Sequence, residues 1–104
     1  MQDASESKIQ RSIVEVAVLF GYKPYRLNAG NRRNYHGAEE GTPDLLVVMD
    51  RGRSLWVEVK RPGERPTEIQ AQRHRELRSL GHAVVVATSV DEFRKSVEEL
   101  CSLH

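Results

Sequence analysis

The sequence is poor in cysteine and has no long apolar run, and each scarcity closes a class of protein. With a single cysteine, Cys101, no internal disulfide can form and no metal site can be built on thiolates. A reducing interior is the expected compartment. No apolar stretch approaches the length of a membrane span. The opening residues Met1-Gln2-Asp3-Ala4-Ser5 are polar and include an acid, unlike a secretory signal. At 104 residues there is no room for a second domain, and residues 1–104 read as one unit without repeats, linkers or low-complexity segments.

A large net charge is missing too: the formal sum is +1. The distribution says more than the sum. Lys23, Arg26, Arg32 and Arg33 lie in a stretch, Lys23 to His36, that holds no acid. Arg51, Arg53, Lys60, Arg61 and Arg65 form a second basic stretch, and Glu39, Glu40, Asp44 and Asp50 sit between the two. Most of the basic residues are arginine, the better bidentate partner for phosphate. Basic segments flanking an acidic centre suit a metal-dependent enzyme acting on a polyanion; arginines on a solvated face are the plainer alternative.

The acidic centre lies in Gly41 to Gly63, which reads as a β-hairpin. Leu45 to Met49 is an apolar run too short for a helix, and Leu55 to Lys60 alternates. Leu55, Val57 and Val59 share one face of that strand; Trp56, Glu58 and Lys60 share the other. Glu58 and Lys60 therefore point the same way, about 7 Å apart. Buried opposite charges are costly unless paired or holding a metal. A salt-bridged edge strand would satisfy Glu58 and Lys60 alone, but Asp44, at the start of the neighbouring strand, can also meet Glu58. Two carboxylates beside one ammonium form a hard-cation site with a positioned lysine.

The hairpin turn decides whether that site can exist. A two-residue turn at Arg51-Gly52 would put Asp44 and Glu58 on opposite faces. We therefore expect a three-residue connection, Arg51-Gly52-Arg53 with Asp50 opposite Ser54, or a bulge near Asp44.

Elsewhere the helical period is clear. Asp3 as N-cap with Glu6 at N3 opens a first helix, with Ile9, Ile13, Val16, Ala17 and Phe20 as its stripe and Gly21 as its stop. Glu6 shares that stripe and can point at the sheet. Lys23 to Leu27 is a short strand with an edge signal at Pro24, and Asn28 to Glu40 is an aperiodic loop. In that loop Arg32, Arg33, Tyr35 and His36 are candidates for phosphate contact or base stacking, or belong to a plain surface loop. Arg61 and Arg65 fall in a strand-breaking segment basic enough to touch DNA backbone. Thr67 caps a helix to about Leu80, with Gln70 at N3 and a thin apolar face; Arg73 and His74 on it are candidate phosphate contacts. Ala83 to Thr88 reads as a fully buried strand, parallel to a central one through a right-handed crossover. Ser89 caps a last, structural helix carrying Phe93, Val97 and Leu100.

Pro43-Asp44 followed by Glu58-Val59-Lys60 resembles the PD-(D/E)XK nuclease signature. With Glu6-Ser7-Lys8-Ile9-Gln10, Gly41-Thr42-Pro43-Asp44-Leu45, Thr67-Glu68-Ile69-Gln70 and Leu77-x-x-x-Gly81 in order, the chain resembles the VRR-NUC family of that superfamily from about Glu6 to Phe93. The resemblance implies an α/β, restriction-endonuclease-like core in the order α-β-β-β-α-β-α, a small mixed sheet flanked by helices. It implies a metal-dependent endonuclease of DNA, structure-specific and acting at four-way junctions, in the cytoplasm of a bacterial or phage-infected cell. Asp44, Glu58 and the carbonyl of Val59 would hold magnesium or manganese, Lys60 would orient water or stabilise the phosphate, and Glu6 and Gln70 would complete the site. DNA-contacting residues would be Arg26, Arg32, Arg33, Tyr35, Arg61, Arg65, Arg73 and His74. Symmetric junction cutting calls for two active sites, hence a homodimer. No membrane and no organic cofactor is expected. General nicking of duplex or branched DNA, and a nucleic-acid-binding module without catalysis, are the rivals.

Overall fold

The computed structural model describes residues 5–27 and 39–102. The expected cap Asp3 and the loop candidates Arg32, Arg33, Tyr35 and His36 lie outside the described residues. The elements are α1 (Glu6–Leu19), β1 (Lys23–Arg26), β2 (Leu45–Val48), β3 (Ser54–Val59), α2 (Glu68–Ser79), β4 (Ala83–Ala87) and α3 (Val90–Cys101). This is the α-β-β-β-α-β-α order. The strands form one mixed sheet, β1-β2-β3-β4, antiparallel except between β3 and β4.

Alternation along the strands divides the sheet into two faces. Leu45, Val47, Leu55, Val57, Val59 and Ala87 are buried on one, under Ile9, Ile13 and Ala17 of α1 and Phe93 and Val97 of α3. Each of the valine, leucine, isoleucine and phenylalanine side chains contributes about 1.5–3 kcal/mol on burial, so this layer holds the fold. The other face carries Leu46, Trp56 and Glu58, with α2 laid across it. As the β3–β4 crossover, α2 is what lets those two strands run parallel.

The hairpin connection is three residues, as the shared face of Asp44 and Glu58 requires, but set one residue earlier than expected. Asp50–Gly52 makes a 3-10 turn, and the Met49 N–H donates to the Arg53 carbonyl at 2.8 Å, so Met49 rather than Asp50 faces the returning strand. Arg51 and Gly52 both take positive φ, 57° and 73°, which tightens the turn. The resulting register pairs Leu45 with Val57 and, continued one step, sets Asp44 opposite Glu58.

Three other expectations are corrected. Helix α1 starts from Ser5, whose hydroxyl accepts the Lys8 N–H at 3.3 Å, so Glu6 is the first helical residue and not the third. Phe20, expected on the buried stripe, is the C-cap of that helix, 41% exposed and edge-on to Tyr22. Strand β4 is an edge strand in which only Ala87 is fully buried; its apolar composition could not distinguish an edge from the centre.

Both sheet edges are guarded. On β1 the Leu27 N–H donates to the Asp44 carbonyl at 2.8 Å, so alternate residues carry the ladder and Pro24, lacking an N–H, falls on the outward side. On β4 the Arg78 guanidinium donates to the Val84 carbonyl at 3.0 Å.

Candidate active site

Glu58 is 1% exposed, a carboxyl group in the middle of a sheet. Its pKa is pushed up to about 9, first by burial and then by the charge of Asp44 and a hydrogen bond shared with it; Lys60 works the other way. Such a carboxyl keeps its proton at neutral pH unless a cation takes the proton's place. The two carboxylates expected to converge do so.

Asp44 is held from two sides. Its carbonyl accepts from Leu27, and its Oδ2 accepts the Val59 N–H at 2.8 Å. The local sequence explains the second bond. Continued two residues past Leu45, the β2–β3 register would set Pro43 opposite Val59. The carboxylate of Asp44 takes the Val59 N–H, and proline has no N–H to donate to the Val59 carbonyl. In an antiparallel ladder the N–H and C=O of one residue point the same way. That carbonyl therefore faces the side of the strand on which Asp44 lies.

Helix α2 grips Glu58 from above. Gln70 Nε2 donates to Glu58 Oε2 at 3.4 Å, and His74 Nε2 lies 3.1 Å from Glu58 Oε1. Gln70 also closes the helix start: its Oε1 accepts the Thr67 N–H at 2.9 Å and its own N–H donates to the Thr67 hydroxyl. Capping and contact with the carboxylate belong to one side chain. His74 is only 2% exposed, so the expected phosphate contact is replaced by a buried contact with Glu58. Burial lowers its pKa and leaves the ring neutral, with the Arg78 charge acting in the same direction.

Arg73 also departs from expectation. Its side chain is 17% exposed and engaged by the Glu40 carbonyl, by Glu76 and by Glu39, which ties the segment leading to Asp44 onto α2. Gly41 lets the two pieces touch. With φ at +87°, a β-carbon there would come within 2.8 Å of the Ile69 carbonyl oxygen. Gly41 is the part of the Gly41-to-Leu45 motif whose purpose only the packing explains.

At the rim, Lys60 lies where its charge favours ionisation of both Glu58 and Glu6, and its N–H donates to the Ala87 carbonyl at 3.1 Å. Glu6 is exposed, its pKa raised by partial burial and by a hydrogen bond with Glu64. Sequence reasoning missed Glu64. It closes a tight turn with Arg61, accepting from the Arg61 N–H at 3.1 Å and from its guanidinium at 2.9 Å, and these bonds hold its pKa at about 2. Arg61 is thus exposed but already salt-bridged, while Arg26 and Arg65 are exposed.

Among the described residues, no three His, Cys, Asp or Glu side chains gather closely enough to hold a metal by themselves. The fit rests on Asp44, Glu58 and the Val59 carbonyl: hard oxygen donors, with a proton held between the carboxylates that a divalent cation would displace.

Comparison with known proteins agrees with this geometry. The model of the VRR-NUC domain matches residues 5–91. A phage protein named "Putative nuclease p44", from Acyrthosiphon pisum secondary endosymbiont phage 1, is 36% identical over 86 residues, covering 83% of this chain and 85% of its own length. A solved structure described as a VRR_NUC domain superposes with a TM-score of 0.74 at 31% identity, covering 89% of this chain and 94% of its own. A second, a VRR_NUC domain protein at 20% identity, shares the fold with the same TM-score over 95% of this chain and 89% of its own. The chain belongs to the VRR-NUC domain family.

Proposed function

We propose that this protein is a magnesium- or manganese-dependent endonuclease that hydrolyses DNA phosphodiester bonds, with four-way junctions as its preferred substrate. The observation that carries the reading is the convergence of half-buried Asp44 and buried Glu58, two carboxyl groups set opposite each other at the ends of β2 and β3, with the Glu58 pKa pushed up to about 9 by burial first and then by Asp44. The family membership and the nuclease relative support the same chemistry. Bound at Asp44, Glu58 and the Val59 carbonyl, the metal supplies a water of lowered pKa and positive charge beside the phosphate.

The chain's own residues do the rest. Lys60, half-buried at the end of β3, orients the attacking water or stabilises the charge that gathers on phosphorus. Glu6 takes part from the rim, and Gln70 steadies Glu58. Arg26 and Arg65, both exposed, contact the DNA backbone, with Arg61 able to exchange Glu64 for a phosphate. Symmetric cutting of a junction needs two sites and one chain supplies the Asp44–Glu58 site once, so the working form is a two-fold homodimer.

The test is incubation of purified protein with a labelled immobile four-way junction, a matched duplex and a flap, each with magnesium, manganese or EDTA. Paired symmetric cuts in the junction, abolished by EDTA, are expected. Equal nicking of all three substrates would leave the endonuclease and remove the junction preference. Binding without cutting under every metal condition would replace the enzyme by a nucleic-acid-binding module.

A further inference from the structure

His74 is the only fully buried residue of α2, a helix whose remaining side chains are half-buried or exposed. A helix lying on a sheet would ordinarily bury leucine or valine there. A buried polar group persists only with a partner, and the partner of His74 is Glu58 Oε1, at 3.1 Å. Gln70, one helical turn earlier, reaches the other oxygen, Oε2, at the longer distance of 3.4 Å while its own oxygen is committed to the Thr67 N–H. Of the two contacts from α2, the imidazole's is therefore the shorter and less shared. With its Nε2 turned to Glu58, the ring is not itself placed as a metal ligand; it acts on the carboxylate that is.

We propose that His74 is a positioning residue: its Nε2–H fixes Oε1 of Glu58 and with it the orientation of the carboxylate that meets Asp44, so that cation affinity depends on the histidine. The inference rests on reading Asp44 and Glu58 as the metal ligands. Without the imidazole, Glu58 keeps its buried position but can rotate about its last bond, and Oε1 is left in the interior without that donor. Residues that hold a ligand by its far atom ordinarily change metal affinity by about 10–100-fold when removed.

The experiment compares full-length wild type, His74→Gln and His74→Leu for manganese binding without DNA, read by the free-manganese electron paramagnetic resonance signal. Thermal melts in EDTA serve as the fold control. The glutamine amide carries a donor at nearly the position of imidazole Nε2, so His74→Gln is expected to bind within about threefold of wild type. His74→Leu is expected to melt cooperatively but bind at least about tenfold more weakly. If the leucine variant does not fold, His74→Asn takes its place, because its amide ends one bond short of Oε1 and should weaken binding equally.

Wild-type affinity in a folded His74→Leu, or in His74→Asn, would overturn the role of His74 and leave the metal site standing. Loss of binding in a folded His74→Gln would overturn the donor argument. No manganese binding by wild type would overturn both this inference and the proposed function. A separate reading needs no metal: long-range nitrogen NMR of the metal-free protein is expected to show His74 protonated at Nε2, and the Nδ1–H tautomer would refute the proposal.

Discussion

Asp44 stands in for a missing ladder partner of Val59: its Oδ2 accepts the Val59 N–H at 2.8 Å where the backbone of β2 has ended. The side chain thus has a structural half, Oδ2, and a charge set against Glu58. Asp44→Asn, which keeps an oxygen acceptor, should retain most of its stability yet lose at least ~100-fold in cleavage, by analogy with other charge-stabilising groups. Asp44→Ala should lose cleavage and about 1–3 kcal/mol of stability as well. Urea unfolding beside a nicking assay separates the two effects, and an Asp44→Asn protein that cuts at the wild-type rate would refute the assignment.

Glu58 makes stability depend on pH with a definite sign. Its folded pKa, about 9, lies above the ordinary 4.5, so the folded state holds a proton that the unfolded state has released. The advantage is fully present below pH 4.5 and is lost as pH rises toward about 9. The slope within the window is at most about 1.4 kcal/mol per pH unit. In EDTA, wild type should become easier to unfold between pH 6 and 9, and Glu58→Gln should flatten that trend. Parallel pH profiles for the two proteins would count against a protonated Glu58.

Gly41→Ala should destabilise more than Gly52→Ala. Both positions have positive φ, which costs about 1–2 kcal/mol for an L side chain. Only at Gly41 would the added carbon also meet backbone, the Ile69 carbonyl, and the segment displaced leads directly to Asp44. A melting temperature lower than that of Gly52→Ala by more than about 5 °C is expected, with reduced cleavage. Equal melting temperatures would remove the packing argument.

Thr67→Ala and Gln70→Ala divide the two functions of the α2 start. Each breaks the capping box, at a cost of about 1 kcal/mol. Only the glutamine change also releases Glu58 Oε2. Cleavage should stay near wild type in the first and fall about tenfold or more in the second; equal rates at equal stability would show that Gln70 is only a cap.

The parts of this architecture that depend on neighbours in sequence were legible without coordinates. Strand alternation put Glu58 and Lys60 on one face, and parity demanded an odd connection between Asp44 and Glu58. The Thr67–Gln70 box needed only three residues of spacing. What escaped depends on docking. His74 looks like any helical histidine until α2 is placed on β3, although its one-turn spacing from Gln70 would have aimed it at the same target. Arg73 is satisfied by Glu39 and Glu40, 33 or more positions away, a pairing no local pattern announces. Ser5 and Asp3 satisfy the same capping rule, and composition alone could not choose between them.

The guarded edges of the sheet bear on how copies of this chain can meet. An Ala-Val-Val-Val-Ala strand at an open edge is a template for adding another strand, by an orderly partner or by an aggregate. Here an incoming strand must first pull the Arg78 guanidinium off the Val84 carbonyl, and at the opposite margin it finds an imino acid where it needs a donor. Growth by sheet extension is hindered at both ends, which favours helices and sheet faces as the meeting ground for two molecules and helps to keep a valine-rich strand in solution.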